Sequence, residues 1–375
     1  MPVLTAKLRE DSVAQRIRAL DRITGFSRLT GLITDMDHLV NPDNPVILSN
    51  KCWLPVDAVV VDGRPGLWWM DMSDVSLAEP FFQQTVERAK TDNPHRGELF
   101  TEFDVLLQLE KLLDSVAPTG FIFHSSRCGS TLVANACRTI TNSIVLSEAN
   151  AIDKLVARFI TDAPEGSVKE SLYSVFLRGV VHALGQRRTG SEQHLFIKFA
   201  CCSFAQIERI KRIWPRVPWV FLYRDPVETI VSNLTSVPPW LLDNDRRVLA
   251  SITGTSPAAV EQMRIEELCA RTIGSLYATA ERVVDDTAML INYNELSVPV
   301  ISRVLGFFKV SPSGEELEKI QRGSRMYSKE ASGTRTFVTD TDAKQQLASN
   351  LVREVAEMWA MKPYQRLERR RLEQK

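Results

Sequence analysis

The sequence predicts an α/β protein with a central parallel sheet and a smaller amino-terminal unit. Near-continuous apolar runs at 121–123, 218–223 and 289–293 alternate with longer segments of helical spacing. Such runs are typical of parallel strands that helices bury on both faces. Earlier residues instead form short β-rich pieces separated by turn residues. The 375 residues suffice for two domains, which we place at 1–117 and 118–375.

The amino-terminal unit is predicted to combine helices and strands. The predicted elements are helices at 11–32, from 79 and at 102–116, and strands at 45–48, 57–61 and 66–70. Neighbouring side chains of a strand point to opposite faces. We therefore expect one of Trp68 and Trp69 to lie in the core and the other to cover it.

From residue 118 onward, strands and helices alternate. The predicted strands lie at 121–123, 194–198, 218–223 and 289–293, and the predicted helices at 131–139, 167–187, 203–213, from 226, 240–288 and 343–372. The last helix carries the basic run 369–371. Because Glu368 and Glu373 flank that run, a solvated helix end is favoured over nucleic-acid binding.

Composition argues against several classes of function. Lys and Arg total 46, as do Asp and Glu, so the net charge is zero and no nucleic-acid partner is expected. No apolar run approaches the roughly 18 residues of a membrane span, and the first residues do not resemble a secretory signal. The six cysteines form no CxxC pair, which favours free thiols and a cytoplasmic location. The five histidines lack ligand spacing, so no metal is expected.

The most informative stretch, 121–135, predicts an anion cradle. It is a strand, a loop of small residues and a helix that opens at Gly129-Ser-Thr. This order directs backbone N–H groups and the positive end of a helix dipole at one place. Arg127 adds a fixed positive charge with fork geometry. Hydroxyl donors come from Ser125, Ser126, Ser130 and Thr131.

This loop differs from the nucleotide-hydrolysing pattern GxxxxGK[ST]. Gly129 and Thr131 match its last Gly and its Ser/Thr, but Ser130 stands where the lysine belongs and His124 where the first Gly belongs. The positive charge is instead at Arg127. The sequence therefore disfavours an ordinary ATPase or GTPase.

A second anion site is predicted after the apolar strand 218–223. Asp225 should cap the following helix, with Pro226 in its first position and Glu228 at the third. Arg224 then lies at the carboxyl end of the strand, where open α/β sheets bind ligands. Ser232 lies almost two turns along the helix and can face the same crevice. Two interpretations stay open: Arg224 binds a phosphate monoester, or it pairs with a nearby carboxylate.

Together the two stretches resemble the sulfotransferases that use 3′-phosphoadenosine 5′-phosphosulfate (PAPS). The family's 5′-phosphosulfate loop stands here as Arg127-Cys-Gly-Ser-Thr, and its 3′-phosphate motif as Arg224-Asp-Pro with Ser232. A third family segment resembles Tyr293-Asn-Glu-Leu followed by 304–308. The resemblance covers about residues 119–340 and implies a P-loop-type fold of three layers.

The resemblance also implies ligands for the donor nucleotide. The expected nucleotide-binding residues are Ser126, Arg127, Cys128, Gly129, Ser130, Thr131, Leu132, Arg224 and Ser232, with Lys329 and Arg335 as a loose counterpart of the family's carboxyl-terminal phosphate loop.

The expected catalytic residues are Arg127, Glu148, His124 and Lys198. Family members of the cytosolic phenol type carry a Lys-Thr-His segment with a catalytic His, whereas this chain has Lys198-Phe-Ala at the matching place. Glu148 is therefore the first candidate for the general base and His124 the second. Helix capping by Glu148 is the competing interpretation.

The function expected from these residues is transfer of a sulfuryl group from PAPS to an acceptor hydroxyl or amine, without a metal. A small-molecule, carbohydrate or peptide acceptor is open, and 1–117 with 233–288 should surround its pocket. One alternative is an ATP-dependent phosphotransferase, for which Asp225 is the available metal carboxylate. Another is a non-catalytic nucleotide-binding scaffold.

Overall fold

The computed structural model of the chain describes residues 52–109, 112–242, 246–324 and 340–374. The predictions for 11–32 and 45–48 lie outside the described residues. Within the described ranges, no helix combines the length and apolar character that crossing a membrane requires.

The amino-terminal unit contains a three-stranded antiparallel sheet, as its predicted α+β character requires. Its strands, in the order β1-β2-β3, are β1 Trp53–Val61, β2 Arg64–Asp71 and β3 Glu98–Glu102. Its helices are α1 Phe82–Asp92 and the single turn α2 Leu106–Leu109. Trp69 is buried at 1% exposure and Trp68 is half-buried, as predicted.

The predicted helix at 102–116 is confirmed only over 103–109, and residues 112–116 are not helical. Residues just before it form β3, which pairs with β2 and was not predicted from the sequence. The Trp69 Nε1–H donates to Thr101 Oγ at 2.8 Å in the buried interface, and Phe100 meets Trp68 edge-on. This cross-strand pairing stabilises β3, which ends at Glu102, the first residue of the predicted helix. Within the described residues 102–109 and 112–116, the helical part consists of a short 3₁₀ turn at Phe103–Val105 followed by α2.

The larger region is built on five parallel strands in the order β5-β6-β4-β7-β8. The strands are β4 Pro118–His124, β5 Ser143–Ser147, β6 His194–Lys198, β7 Trp219–Tyr223 and β8 Ala288–Asn292. The predicted α/β class with a central parallel sheet is therefore confirmed. Of these five strands, β5 was not predicted, because its five residues are framed by serines rather than forming a long apolar run.

Helices cover both faces of this sheet, which confirms the three layers. They are α3 Ser130–Thr139, α4 Asn150–Thr161, α5 Val168–Leu184, α6 Ile207–Ile213, α7 Pro226–Thr235, α8 Pro239–Leu242, α9 Arg246–Thr253, α10 Pro257–Gln262, α11 Ile265–Val283, α12 Val298–Phe307, α13 Gly314–Gly323, α14 Thr341–Leu347, α15 Asn350–Ala356 and α16 Lys362–Glu373. Helices α3, α12 and α13 bury one face, and α4 to α7, α11, α15 and α16 bury the other.

Alternation along each strand divides the core into two clusters. On β4, Phe121 and Phe123 point to one face and Ile122 to the other. On β7, Phe221 and Val220 divide in the same way. Because both faces are apolar, the strands have the near-continuous hydrophobic sequence that predicts a parallel sheet.

Two long predicted helices are interrupted. The segment 240–288 contains α8 to α11, where Pro239 and Pro257 lie in the first turns of new helices. The segment 343–372 breaks between α14 and α15, where Ser349 caps α15 through the Val352 N–H. A π-helical turn at Glu357–Met361 then leads into α16.

The amino-terminal unit packs on the layer that contains α4 and α5. Its buried residues belong to the same cluster as those on that face of the large sheet. The Gln186 Nε2 donates to the Trp53 carbonyl at 2.9 Å, and Lys154 pairs with Asp57 at 2.6 Å. The division into 1–117 and 118–375 stays a prediction.

Candidate active site

Every strand of the large sheet delivers a site residue at its carboxyl end. The residues are Glu148 after β5, Lys198 on β6, His124 on β4, Arg224 after β7 and Tyr293 after β8. Parallel strands end at one edge of a sheet, where open α/β folds bind ligands. The two predicted anion motifs are neighbours there, since β4 pairs directly with β7.

The loop between β4 and α3 has an unusual backbone. Ser126, Arg127 and Gly129 have positive φ angles of 74°, 53° and 81°. Such left-handed residues, when they are not glycine, each cost about 1–3 kcal/mol and concentrate at functional sites. Loops of this kind also turn successive N–H groups toward one point and form anion-binding concavities.

The backbone angle at Gly129 favours glycine, and any side chain there would also have to displace Leu296. A Cβ at this position would lie 2.4 Å from Leu296 Cδ2 and 3.3 Å from the Tyr293 ring. Leu296 and Tyr293 belong to the third segment of the resemblance. This segment therefore packs directly against the loop.

The side chains of two predicted ligands in the loop form hydrogen bonds within the protein that stabilise the loop conformation. The Ser126 Oγ donates to Asn233 Oδ1 at 2.9 Å, and the Cys128 Sγ donates to the Leu222 carbonyl at 3.1 Å. Burial raises the pKa of the Cys128 thiol to about 11, so it is not a nucleophile. Leu132 packs on the second core cluster.

The opening of α3 has the features of an anion-binding site. Ser130 and Thr131 are the first residues of this ten-residue helix, and both are buried. The first N–H groups of a helix have no intrahelical acceptor, and the dipole there favours an anion. The role of Ser130 and Thr131 as nucleotide ligands stays a prediction.

Arg127 reaches across to the end of α7. Its half-buried guanidinium donates to the Ser236 carbonyl and to Ser236 Oγ at 2.9 Å. This contact holds a positive charge between the cradle loop and the helix that follows Arg224.

Arg224 is paired with carboxylates, as one of the two open interpretations required. Its side chain is only 2% exposed, and its Nε donates to Glu228 Oε2 at 2.6 Å. Its Nη2 donates to Asp340 Oδ1 at 2.7 Å. The Tyr293 ring covers the guanidinium, with 4.1 Å from the ring centroid to Cζ.

The remaining predicted phosphate ligands have different outcomes. Ser232 is half-buried on α7, and its convergence with Arg224 on one ligand stays a prediction. Lys329 and Arg335 lie outside the described residues. The Asp225 carboxylate caps α7 by accepting the Glu228 N–H at 3.2 Å, and it also accepts Gln345 Nε2. Among residues that the structure describes, no cluster of His, Cys, Asp or Glu could hold a metal.

Glu148, Lys198 and His124 form a charged cluster beside the loop. The Lys198 ammonium, 1% exposed, donates to Glu148 Oε1, and His124 Nε2 lies 3.4 Å from the same oxygen. Glu148 has a φ of 51° and its side chain keeps 31% exposure. Burial alone would raise the pKa of Glu148, but the Lys198 charge and His124 outweigh it and hold that pKa well below its usual range.

Hydrogen bonding defines the tautomer of His124. Its Nδ1 accepts the Ser126 N–H at 3.1 Å. The proton of the neutral imidazole therefore lies on Nε2, toward Glu148. Since neither nitrogen then offers a lone pair to an acceptor, this arrangement favours Glu148 over His124 as the base.

Two contributors to this cluster were missed by sequence reasoning. Asp153 on α4 accepts the Ala200 N–H at 3.0 Å and the Ser203 hydroxyl at 2.8 Å. Burial raises the pKa of Asp153 to about 7. Phe81, at the start of α1, places its ring 5.0 Å from Lys198 Nζ. An acid three residues after a helix start is a common pattern, so the sequence carries no distinctive signal for Asp153.

No family model matches the sequence, and no curated protein matches it. The chain is similar to the sulfotransferase domain from the curacin biosynthetic pathway at 14% identity and a TM-score of 0.36, over 65% of this chain and 98% of that one. A sulfotransferase from Alicyclobacillus acidocaldarius shows 15% identity and a TM-score of 0.35, over 61% and 99%. One from Mycobacterium avium shows 11% and 0.34, over 77% and 88%. A likeness of this size assigns no activity, so the function has to be inferred from the geometry of this chain.

Proposed function

We propose that this protein transfers a sulfuryl group from PAPS to an acceptor hydroxyl or amine. The observation that supports the proposal is that two arginines, Arg127 and Arg224, follow the carboxyl ends of β4 and β7, which are paired neighbours in the sheet. PAPS carries a 5′-phosphosulfate and a 3′-phosphate on one ribose, so it needs two cationic sites close together. The motif resemblance assigns the same two loops to these two groups.

The donor set fits the chemistry of both ends of PAPS. The α3 amides at Ser130 and Thr131, their hydroxyls and Arg127 would hold the 5′-phosphosulfate. Charge grows on the 5′-phosphate as the sulfur–oxygen bond breaks, and preorganised donors are most effective where charge develops. Arg224 and Ser232 would hold the 3′-phosphate.

The reaction is an in-line substitution at sulfur. The acceptor oxygen or nitrogen forms a bond to sulfur, and the bond between sulfur and the bridging oxygen breaks. The acceptor proton passes to Glu148, and adenosine 3′,5′-bisphosphate leaves. Holding both reactants in this alignment supplies part of the rate enhancement.

The Lys198–Glu148 ion pair would prevent Glu148 from accepting the acceptor's proton until PAPS is bound. Glu148 is a weak base while it accepts from the Lys198 ammonium. A sulfonate that draws this ammonium away removes the charge that lowers the Glu148 pKa, and the partly buried carboxylate becomes more basic. An acceptor would be small molecule, carbohydrate or peptide, and Phe81 brings the amino-terminal unit to its side of the site.

Calorimetric titration tests the donor site. We expect adenosine 3′,5′-bisphosphate to bind without Mg²⁺ and more tightly than ATP with Mg²⁺. Arg224→Ala should weaken bisphosphate binding by about 10- to 100-fold, since a charged hydrogen-bond donor contributes roughly 1.5–3 kcal/mol. Thermal unfolding would confirm that the variant is folded. The exposed Arg216 provides the matched control, because Arg216→Ala removes the same charge outside the site.

Two outcomes would contradict the proposal. Tighter binding of ATP with Mg²⁺ would favour a phosphotransferase. Failure of either nucleotide to bind the folded wild type would favour a scaffold.

A further inference from the structure

The guanidinium of Arg224 donates to three residues: Glu228, Asp340 and, at 3.4 Å, the Thr341 hydroxyl. The Glu228 side chain, on α7, is 3% exposed and accepts a hydrogen bond from Arg224 Nε. Asp340, 43% exposed, accepts from Nη2. Because ion pairs that reach solvent contribute little net stability, the Asp340 contact is the one that a ligand can replace.

The Asp340 carboxylate is bound by two cations, as an anionic ligand would be. Its Oδ1 accepts from Arg224 Nη2 at 2.7 Å and its Oδ2 from Lys344 Nζ at 2.6 Å. Lys344 is 13% exposed and lies one turn along α14. The two cations thus hold the two oxygens of one carboxylate.

Helix capping does not explain the position of the Asp340 carboxylate. Asp340 precedes α14, but its side chain makes no capping hydrogen bond to that helix within the described range 340–374. Helix α14 is held to α7 independently, because Gln345 Nε2 donates to Asp225 Oδ1 at 3.2 Å and to Glu228 Oε1 at 3.4 Å. The carboxylate can therefore leave while α14 stays in place.

From this geometry we infer that Asp340 occupies the position of the donor's 3′-phosphate, and that Lys344 is a further ligand of that phosphate. The inference rests on the proposed function, since it requires a nucleotide with a 3′-phosphate. A phosphate and a carboxylate repel each other, so both cannot contact Arg224 Nη2 and Lys344 Nζ together. Binding of the nucleotide displaces Asp340, and the competition lowers the apparent affinity.

The test compares adenosine 3′,5′-bisphosphate with adenosine 5′-monophosphate, which lacks the exchanged phosphate, by calorimetry. Asp340→Asn should bind the bisphosphate roughly 3- to 10-fold more tightly, the scale of a partly exposed ion pair. The monophosphate affinity should stay within about 2-fold. The exposed Asp342 on α14 gives the matched control, because Asp342→Asn removes an equal charge and should leave both affinities unchanged.

Lys344 is tested in the Asp340→Asn background, where no carboxylate competes for it. Adding Lys344→Met there should weaken bisphosphate binding about 10-fold or more and spare the monophosphate. The inference is overturned if Asp340→Asn resembles Asp342→Asn, weakens bisphosphate binding, or shifts both nucleotides equally. It is also overturned if Lys344→Met has no effect.

Failure of the proposed function gives a different result. In that case no variant binds the bisphosphate. If bisphosphate binding depends on Arg224 but not on Asp340 or Lys344, the proposed function stands. Only the inference that the 3′-phosphate displaces Asp340 is then overturned.

Discussion

At the scale of single residues, the site concentrates backbone conformations that side chains rarely adopt. Ser126, Arg127, Gly129 and Glu148 all have positive φ angles. Apart from Gly129, each carries a Cβ that makes this conformation costly. The surrounding packing maintains them: the Ser126 N–H donates to His124, and the Ser126 hydroxyl donates to Asn233.

Gly129→Ala should show how tightly the third segment holds this loop. A methyl group there has to adopt a φ of 81° and also collides with Leu296 at 2.4 Å. We expect a loss of about 2 kcal/mol in the free energy of unfolding, measured with urea: the backbone contribution plus the cost of displacing the end of the Leu296 side chain. Bisphosphate binding should fall with it.

A substitution at Gly166 separates the backbone cost of a positive φ from the cost of the contact with Leu296. The φ of Gly166 is 74°, but a Cβ there meets nothing within 4 Å. Gly166→Ala should therefore cost only about 1 kcal/mol, the backbone contribution. Equal losses in the two variants would show that Leu296 does not restrain the loop.

At the scale of elements, short strands deliver the charged residues and helices hold them in place. Helix α4 contributes Asp153, which binds the turn after β6 through Ala200 and Ser203. That turn follows Lys198 by two residues. Asp153 therefore positions the strand end from which Lys198 reaches Glu148.

Asp153→Asn should reduce the pH dependence of stability. Burial raises the pKa of Asp153 to about 7, against about 3.9 in an unfolded chain. Between these values the folded protein keeps a proton that the unfolded chain has lost. The free energy of unfolding therefore falls as pH rises from about 4 to 7, by up to about 1.4 kcal/mol per unit.

The Asn side chain can still accept both hydrogen bonds and does not titrate. Urea unfolding from pH 5 to 8 should therefore show a steeper decline for the wild type than for Asp153→Asn. Parallel curves would mean that Asp153 is ionised in the folded protein throughout this range.

The sequence predicted the elements that depend on local patterns. It did not predict those whose stability depends on contacts with residues far away in the chain. The apolar run before Arg224 and the caps at Asp225 and Pro226 could be read directly, and β7 with α7 followed. Strand β3 could not be predicted in this way, because its stability comes from pairing with Trp68 and Trp69, about thirty residues earlier. The Asp340 contact with Arg224 joins residues more than 100 apart, so no local pattern announces it.

At the scale of the whole molecule, the amino-terminal unit and the large sheet share one buried cluster. Trp69 and Leu54 belong to the same apolar continuum as Leu155 on α4 and Leu177 on α5. Removing the unit would expose the outer faces of these helices to water, and exposed apolar area is costly at roughly 25 cal/mol per Å².

A chain that begins at residue 118 should therefore fold poorly. We expect it to be aggregated or to lack a cooperative thermal transition in circular dichroism, whereas the full chain unfolds cooperatively. A cooperative transition with retained bisphosphate binding would contradict this and would show that 118–375 is an independent domain.

The decisive experiment for the donor site is a crystal structure of the complex with adenosine 3′,5′-bisphosphate. We expect the 5′-phosphate at the opening of α3, against Ser130 and Thr131, and the 3′-phosphate on Arg224 with Asp340 displaced. A nucleotide bound away from the β4 and β7 ends, or bound with its two phosphates reversed, would contradict the proposed donor site.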